Sequence, residues 1–270
     1  MIVFPNAKIN LGLLVTSKRP DGYHNIETIF HPVHQLCDIL EVIDNDEKED
    51  VFSTSGLVID GPASDNLILK ALALIRECAP LPPLKIHLHK KIPFGAGLGG
   101  GSADASFMLK LLNEQYHLNL STRTLELMAA RLGADCPVFI ENKPVLARGI
   151  GNEFSPINLS LSHLWLQIVI PPIHVPTAHA YSNISPFQPE SSLEDLLSRP
   201  IENWKATLKN DFESSVFERY PEIMAIKEHL YNQGALYAAM SGSGSAVFGL
   251  FKNKPETEWA DNYVIHTEQL

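Results

Sequence analysis

The chain has 270 residues, long enough for two modest domains that each bury a core of their own. Hydrophobic residues make up 45% and charged residues 19%, a balance that fits a folded protein and argues against extended disorder. The formal net charge of -10 leaves no broad basic surface for a nucleic-acid backbone, so any anionic ligand must be held by local backbone amides and a few placed lysines.

The N-terminal residues "MIVFPNAKINLG" have no basic region leading into a long apolar run, and no stretch of about 18 apolar residues follows. Neither a secretory signal nor a membrane span is expected, and the sequence reads as cytoplasmic. Cys37, Cys78 and Cys136 are odd in number and widely spaced, which fits reduced structural thiols and no zinc or redox motif.

Along residues 7–15, "AKINLGLLV", Ile9, Leu11, Leu13 and Val15 share one face of a strand and Lys8, Asn10 and Gly12 the other. "RPDGYHNIET" carries a Pro-Asp-Gly turn that delivers Tyr23 and His24 into the next segment. "CDILEVI" and "LKIHLH" read as strands, and the charged run "DNDEKED" at 44–50 as a solvated hairpin tip. "SDNLILKALALIREC" has helical periodicity with Ser64 or Asp65 as the expected cap, and "LPPL" ends it.

The stretch "PFGAGLGGGSAD" holds five of the sixteen glycines, too many for chance along a segment that joins a strand to a helix. The helix is expected from Ser102 or Ala103, with Phe107, Met108, Leu111 and Leu112 on its apolar stripe. "STRTLELMAARLG" predicts a second helix between a Ser121 cap and Gly133, burying Leu125, Met128, Ala129 and Leu132. "ENKPVLARGIGNEFSPI" predicts a hairpin, after which we place a domain boundary, giving domains 1–154 and 155–270. "LWLQIVI" predicts a strand, 192–232 mostly helix, and "YAAMSGSGSAVFGLF" a strand, a glycine turn and a strand.

Glycines between a strand and a helix let several N–H groups converge on one anion at a helix N-terminus, and phosphate is the ligand this chemistry suits. The spacing is neither the dinucleotide fingerprint nor a Walker loop, and the ordered flanking segments argue against a flexible linker. Lys90 and Lys91, just upstream, either supply charge beside a polyphosphate or simply solvate the surface. His87 and His89 alternate on a strand without a convergent third ligand, so a polar face is expected in place of a zinc site.

"PFGAGLGGGSADA" resembles the phosphate-binding loop of the GHMP kinases, the superfamily of galactokinase, homoserine kinase, mevalonate kinase and phosphomevalonate kinase. "NAKINLGL", "RPDGYHNIET", "DNLILKA", "LGADCPVF" and "ARGIGNEF" narrow the resemblance to the branch that acts on 4-diphosphocytidyl-2-C-methyl-D-erythritol in non-mevalonate isoprenoid synthesis. It runs from the first ten residues to the glycine turn near residue 244. Cys136, where valine is common, and Tyr181, where phenylalanine is common, depart from the branch.

The resemblance implies an α+β, two-domain GHMP kinase fold, with an N-terminal domain like domain 2 of ribosomal protein S5 and a C-terminal ferredoxin-like domain. It implies transfer of phosphate from ATP, with Mg2+, to the substrate's 2-hydroxyl, giving the 2-phosphate and ADP. ATP would be held by Pro93, Phe94, Gly95, Ala96, Gly97, Leu98, Gly99, Gly100, Gly101, Ser102 and Ala103, with Asn66 and Lys90. Asp135 would be the catalytic base and Lys8 its cationic partner, although alone Asp135 also suits a helix cap before Pro137 and Lys8 a solvated strand position. Asn10, Tyr23, His24, Thr177 and Tyr181 would contact substrate, the aromatic rings stacking on cytosine. "SGSGSAVF" would close over the first glycine loop. No nucleic acid or membrane partner is implied, and the chain would act as a monomer or homodimer.

Overall fold

The computed structural model describes residues 1–59, 61–182, 184–187 and 191–270. The chain opens with strands β1 (Ile2–Val3), β2 (Asn6–Lys18), β3 (His24–Cys37), β4 (Ile39–Asp44) and β5 (Val51–Gly56). Helix α1 (Leu67–Arg76), strand β6 (Leu84–Lys90) and helices α2 (Gly100–Gln115), α3 (Thr122–Leu132) and α4 (Val138–Glu141) follow. Next come β7 (Val145–Arg148), β8 (Glu153–Pro156), β9 (Trp165–Ile170), α5 (Thr177–Ala180), α6 (Leu193–Leu197) and α7 (Trp204–Thr207). Helices α8 (Phe212–Arg219) and α9 (Pro221–Asn232) and strands β10 (Tyr237–Met240), β11 (Val247–Phe251) and β12 (Val264–Gln269) complete it.

Packing divides these residues into two compact units that are discontinuous in sequence. One comprises Met1–Ala7, His34–Phe94 and Gly99–Lys143, the other Lys8–Val33, Gly95–Leu98 and Pro144–Leu270. In the first, the sheet runs β1-β4-β6-β5, and the alternation of "LKIHLHK" sends Leu84, Ile86 and Leu88 inward. They meet Ile68, Leu72 and Ile75 of α1 and Met108, Leu109 and Leu112 of α2 in one core. On the outward face Ser53 and Ser55 hydrogen-bond to the ring nitrogens of His87, and Ser55 also to His89, which makes the polar face expected there.

Three local expectations change. "DNDEKED" is not a hairpin tip: β4 and β5 lie on either side of β6, one antiparallel and one parallel, so the charged run joins strands that never pair. Ser64 and Asp65 belong to a short 3-10 turn, and the α1 cap is Asn66, whose Oδ1 accepts from Ile68 N at 2.9 Å. Helix α2 starts at Gly100, two or three residues before the expected Ser102 or Ala103, because Gly99 adopts φ 72° at the cap and frees the chain to turn. Ser121 caps α3 as predicted, accepting from Thr124 N at 3.1 Å.

The second unit holds two sheets, β2-β3-β7-β8 and β10-β11-β9-β12. The latter is antiparallel throughout, and its Val169, Met240 and Val247 share a core with Phe212, Val216, Ile223 and Leu230 of α8 and α9. Along β2 both faces are buried: Lys8 is 3% and Asn10 2% exposed. Among the described residues no helix is long and apolar enough to cross a membrane.

Candidate active site

The polar face of β2 carries a chain of hydrogen bonds within the second unit. Lys8 Nζ donates to Asn10 Oδ1 at 2.6 Å and to Gly97 O at 3.1 Å, and lies 4.9 Å from the centre of the Phe30 ring. Asn10 Nδ2 donates to Thr28 Oγ1 at 3.0 Å, and that hydroxyl donates to Gly12 O at 2.5 Å. Such tethering fixes the rotamers of a lysine and an amide that would otherwise sweep a wide volume.

The two glycine-rich turns meet at this face. Ser241 Oγ donates to Gly97 O at 2.9 Å, Asn10 N donates to Ser241 Oγ at 3.3 Å, and Ala246 N donates to Ala96 O at 3.1 Å. Gly97 has φ +77°, and a Cβ there would lie 1.9 Å from Ser241 O, so only glycine admits the contact. Leu98 O accepts from Lys8 N at 2.9 Å, and the Ala96 and Leu98 side chains are buried. Gly95 packs against the exposed ring of His174.

Among the expected substrate contacts, His24 and Tyr181 are stacked, with centroids 4.9 Å apart and planes 18° off parallel; Phe212 meets Tyr181 edge-on at 4.6 Å. Thr177, at the start of α5, lies 3.4 Å from the Ser243 hydroxyl of the second glycine turn. Tyr23, the chain neighbour of His24, is 64% exposed in the turn before β3.

In the first unit, Asn66, Lys90, Phe94 and Gly101 converge on a cavity of about 320 Å³, whose apolar walls include Phe52, Ile59 and Leu88. The first turn of α2, Gly100 to Ser102, presents N–H groups that helix geometry leaves without carbonyl partners, at the positive end of the helix dipole, while Ala103 N closes the first helical bond on Gly99 O at 2.9 Å. Pro93 is half-buried before it. Lys90 is not a free cation beside this cavity. Its side chain is 4% exposed, and its ammonium is ion-paired with Asp38 and with Asp104 at 2.8 Å, while Lys91 is the surface lysine. Burial opposes the Lys90 charge, but the two carboxylates outweigh it and raise its pKa.

Asp135 is half-buried in the turn between α3 and α4. The cap position of α4 is Pro137, with no side-chain cap bond, so Asp135 is not that helix's N-cap. Next to it Cys136 is fully buried, and burial pushes its thiol up to about 11, leaving it an inert packing residue. Among the described residues no group of three or more His, Cys, Asp or Glu is arranged to hold a metal.

Sequence reasoning missed Asn210. Its buried Nδ2 donates to Met240 O and Gly242 O, both at 2.8 Å, and its Oδ1 accepts from Phe212 N at 3.0 Å, so one amide fixes the second glycine turn and starts α8. Its neighbours in "NDFE" act alike: Asp211 accepts from Val15 N at 2.7 Å and Glu213 from Met240 N at 2.9 Å. The only signal was three polar residues clustered at a helix start, which is ordinary capping chemistry.

The family pattern described as "GHMP kinases N terminal domain" matches residues 66–143, and that described as "GHMP kinases C terminal" matches residues 192–258. A relative from Bacteroides thetaiotaomicron named 4-diphosphocytidyl-2-C-methyl-D-erythritol kinase is 54% identical over 97% of this chain and 97% of its own. One of the same name from Cytophaga hutchinsonii is 54% identical over 95% of this chain and 94% of its own. A crystal structure of a 4-(cytidine 5'-diphospho)-2C-methyl-D-erythritol kinase superposes with a TM-score of 0.78 at 34% identity, covering 93% of this chain and 90% of that one. The mevalonate kinase of Methanococcus jannaschii, at 14% identity over 93% of this chain and 90% of that one, shares the fold with a TM-score of 0.68.

Proposed function

This chain belongs to the GHMP kinases and, within them, to the 4-diphosphocytidyl-2-C-methyl-D-erythritol kinases, and from that membership we propose that it transfers the γ-phosphoryl group of ATP to the tertiary 2-hydroxyl of 4-diphosphocytidyl-2-C-methyl-D-erythritol. The products are the 2-phosphate and ADP, in the non-mevalonate route to isoprenoid precursors. The observation that carries the reading is the Gly97 carbonyl bonded at once by Lys8 and Ser241, which joins a buried cation to the side-chain-poor loop.

In this reading the cavity lined by Asn66, Phe94 and Gly101 takes the nucleoside, and the amides at the start of α2 take the phosphates. Lys90 serves the nucleotide as a buried, charge-compensated wall of that cavity, not as a mobile phosphate ligand. Asp135 accepts the proton of the attacking hydroxyl, and Lys8 offsets negative charge on the group in transfer. Asn10, bonded to Lys8, lines the methylerythritol pocket, and Thr177 contacts substrate beside Tyr181. Tyr23 and Tyr181 stack on the cytosine and the His24 imidazole, already stacked against Tyr181, hydrogen-bonds its polar edge.

Magnesium would accompany ATP, needing few protein oxygens of its own, and when bound would supply positive charge to the phosphate oxygens. The enzyme acts in the cytoplasm on small molecules, as a monomer or homodimer, with no nucleic-acid partner. A coupled ADP-release assay comparing the cytidyl substrate with mevalonate and homoserine tests the assignment: activity confined to the cytidyl substrate is expected, and activity only on either alternative overturns it.

A further inference from the structure

One cluster is left over by the phosphoryl-transfer chemistry. Beneath the cavity, a single ammonium, Lys90, meets two carboxylates, Asp38 and Asp104, and all three side chains are at most 4% exposed. Two ionised carboxylates around one ammonium leave net negative charge where solvent cannot screen it. Asp38 is well satisfied: its Oδ1 accepts from Lys91 N at 2.6 Å and Ile92 N at 2.9 Å, and its Oδ2 takes the lysine. Asp104 is not. Its Oδ2 accepts from Lys90, but its buried Oδ1 has no hydrogen-bond partner among the described residues, and the residue lines the cavity.

We propose that Asp104 holds a proton while the cavity is empty and releases it to solvent when the nucleoside of ATP sets a hydrogen-bond donor, amine or hydroxyl, against Oδ1. The inference rests on the nucleotide assignment of the cavity and deepens it, making Asp104 the residue that selects a donor-bearing nucleoside and links its binding to pH. Before binding, a neutral carboxyl removes the surplus charge; after it, the ligand's donor supplies the partner that the ionised form lacks.

The surroundings agree. Burial, opposed by Lys90 and reinforced by the negative charge of Asp38, pushes the Asp104 carboxyl up to about 7. From the neighbouring elements, α1 gives the cavity the neutral Asn66, Leu67 and Ile68, with Asp65 from the turn before it. Helices α3 and α4 meet the core shared with α2 through Leu125, Met128, Ala129 and Ile140, none of them charged. Asp65 stands on the cavity wall, and Lys90 and Asp38 are the charges that act directly on the Asp104 carboxyl. The sign follows: because the ionised form binds, affinity falls as pH drops below about 7, by up to tenfold per pH unit.

Titration calorimetry of MgATP binding at pH 7, in two buffers of different ionisation enthalpy, counts the protons released. The wild-type protein is expected to release about half a proton more than Asp104→Asn, and the difference to vanish by about pH 9. Purine riboside triphosphate, 2'-deoxy-ATP and 3'-deoxy-ATP separate an amine from a hydroxyl donor: the analogue lacking the contacted group binds without the extra proton. If Asp104→Asn does not fold, the wild-type dissociation constant between pH 5.5 and 8 decides, rising on the acid side if the inference holds and flat if it fails. Equal proton release by wild type and variant, or by all three analogues and ATP, overturns the inference and leaves the kinase assignment standing. Failure of the wild type to bind MgATP at all overturns both.

Discussion

Gly97→Ala and Gly101→Ala separate two reasons for glycine within one loop. At Gly97, with φ +77°, the added Cβ would lie 1.9 Å from Ser241 O, so the two turns must part by about 1 Å to reach even the closest real contact. Alanine in the left-handed region costs roughly 1–2 kcal/mol, and parting the turns removes a neutral bond worth roughly 0.5–1.5 and a lysine bond worth roughly 1.5–3 kcal/mol. The total of roughly 3–6.5 kcal/mol falls on the arrangement that positions Lys8, so kcat/KM should drop at least ~100-fold, with a lowered Tm. At Gly101 a Cβ meets nothing within 4 Å and the residue is helical, yet it lines the cavity. Its alanine variant should melt no lower than wild type, while the methyl group crowds the nucleotide and raises the KM for ATP about tenfold. Coupled ADP release with thermal melts reads both. A Gly97→Ala enzyme within threefold of wild type, or an unchanged KM in Gly101→Ala, refutes the reasoning.

Asn210→Asp keeps the oxygen that caps α8 but takes both donors from the Met240 and Gly242 carbonyls; urea unfolding should reveal a loss of roughly 2–4 kcal/mol, with kcat reduced because the turn carrying Ser241 shifts. Without ligand, a folded-state pKa raised to about 7 at Asp104 means the fold keeps a proton that the unfolded chain loses near pH 4, so this residue makes stability fall as pH rises between those values. The Tm of Asp104→Asn relative to wild type should therefore improve between pH 5 and pH 8, and a constant difference contradicts the assignment. Asp135→Asn should bind MgATP within threefold of wild type while kcat falls roughly 10²–10⁴-fold; an unimpaired kcat excludes it as the base.

Much of the site was legible where chemistry is local. The alternation of "AKINLGLLV" put Lys8 and Asn10 on one face, and they bond to each other there; the glycines marked a close approach that Gly97 makes to Ser241. The Ser121 cap and Gly133 stop of α3 follow from short-range rules. What failed depended on partners far along the chain. Lys90 looked like a surface or phosphate cation because Asp38 lies 52 residues away, and burial between two carboxylates leaves no mark on local sequence. "DNDEKED" looked like a hairpin because a crossover past β6 cannot be told from a tight turn by composition. Strand β12 escaped notice because "VIHTEQ" sits at a sheet edge with most of its side chains exposed or half-buried, and its pattern carries little apolar signal.

The position of the transferred phosphate tests the central claim most directly. With MgATP and 4-diphosphocytidyl-2-C-methyl-D-erythritol, proton-coupled 31P NMR should show a phosphomonoester without three-bond coupling to a carbinol proton, since the 2-carbon carries none. A resonance split by such a proton, or no phosphomonoester while ATP is consumed, would contradict the account.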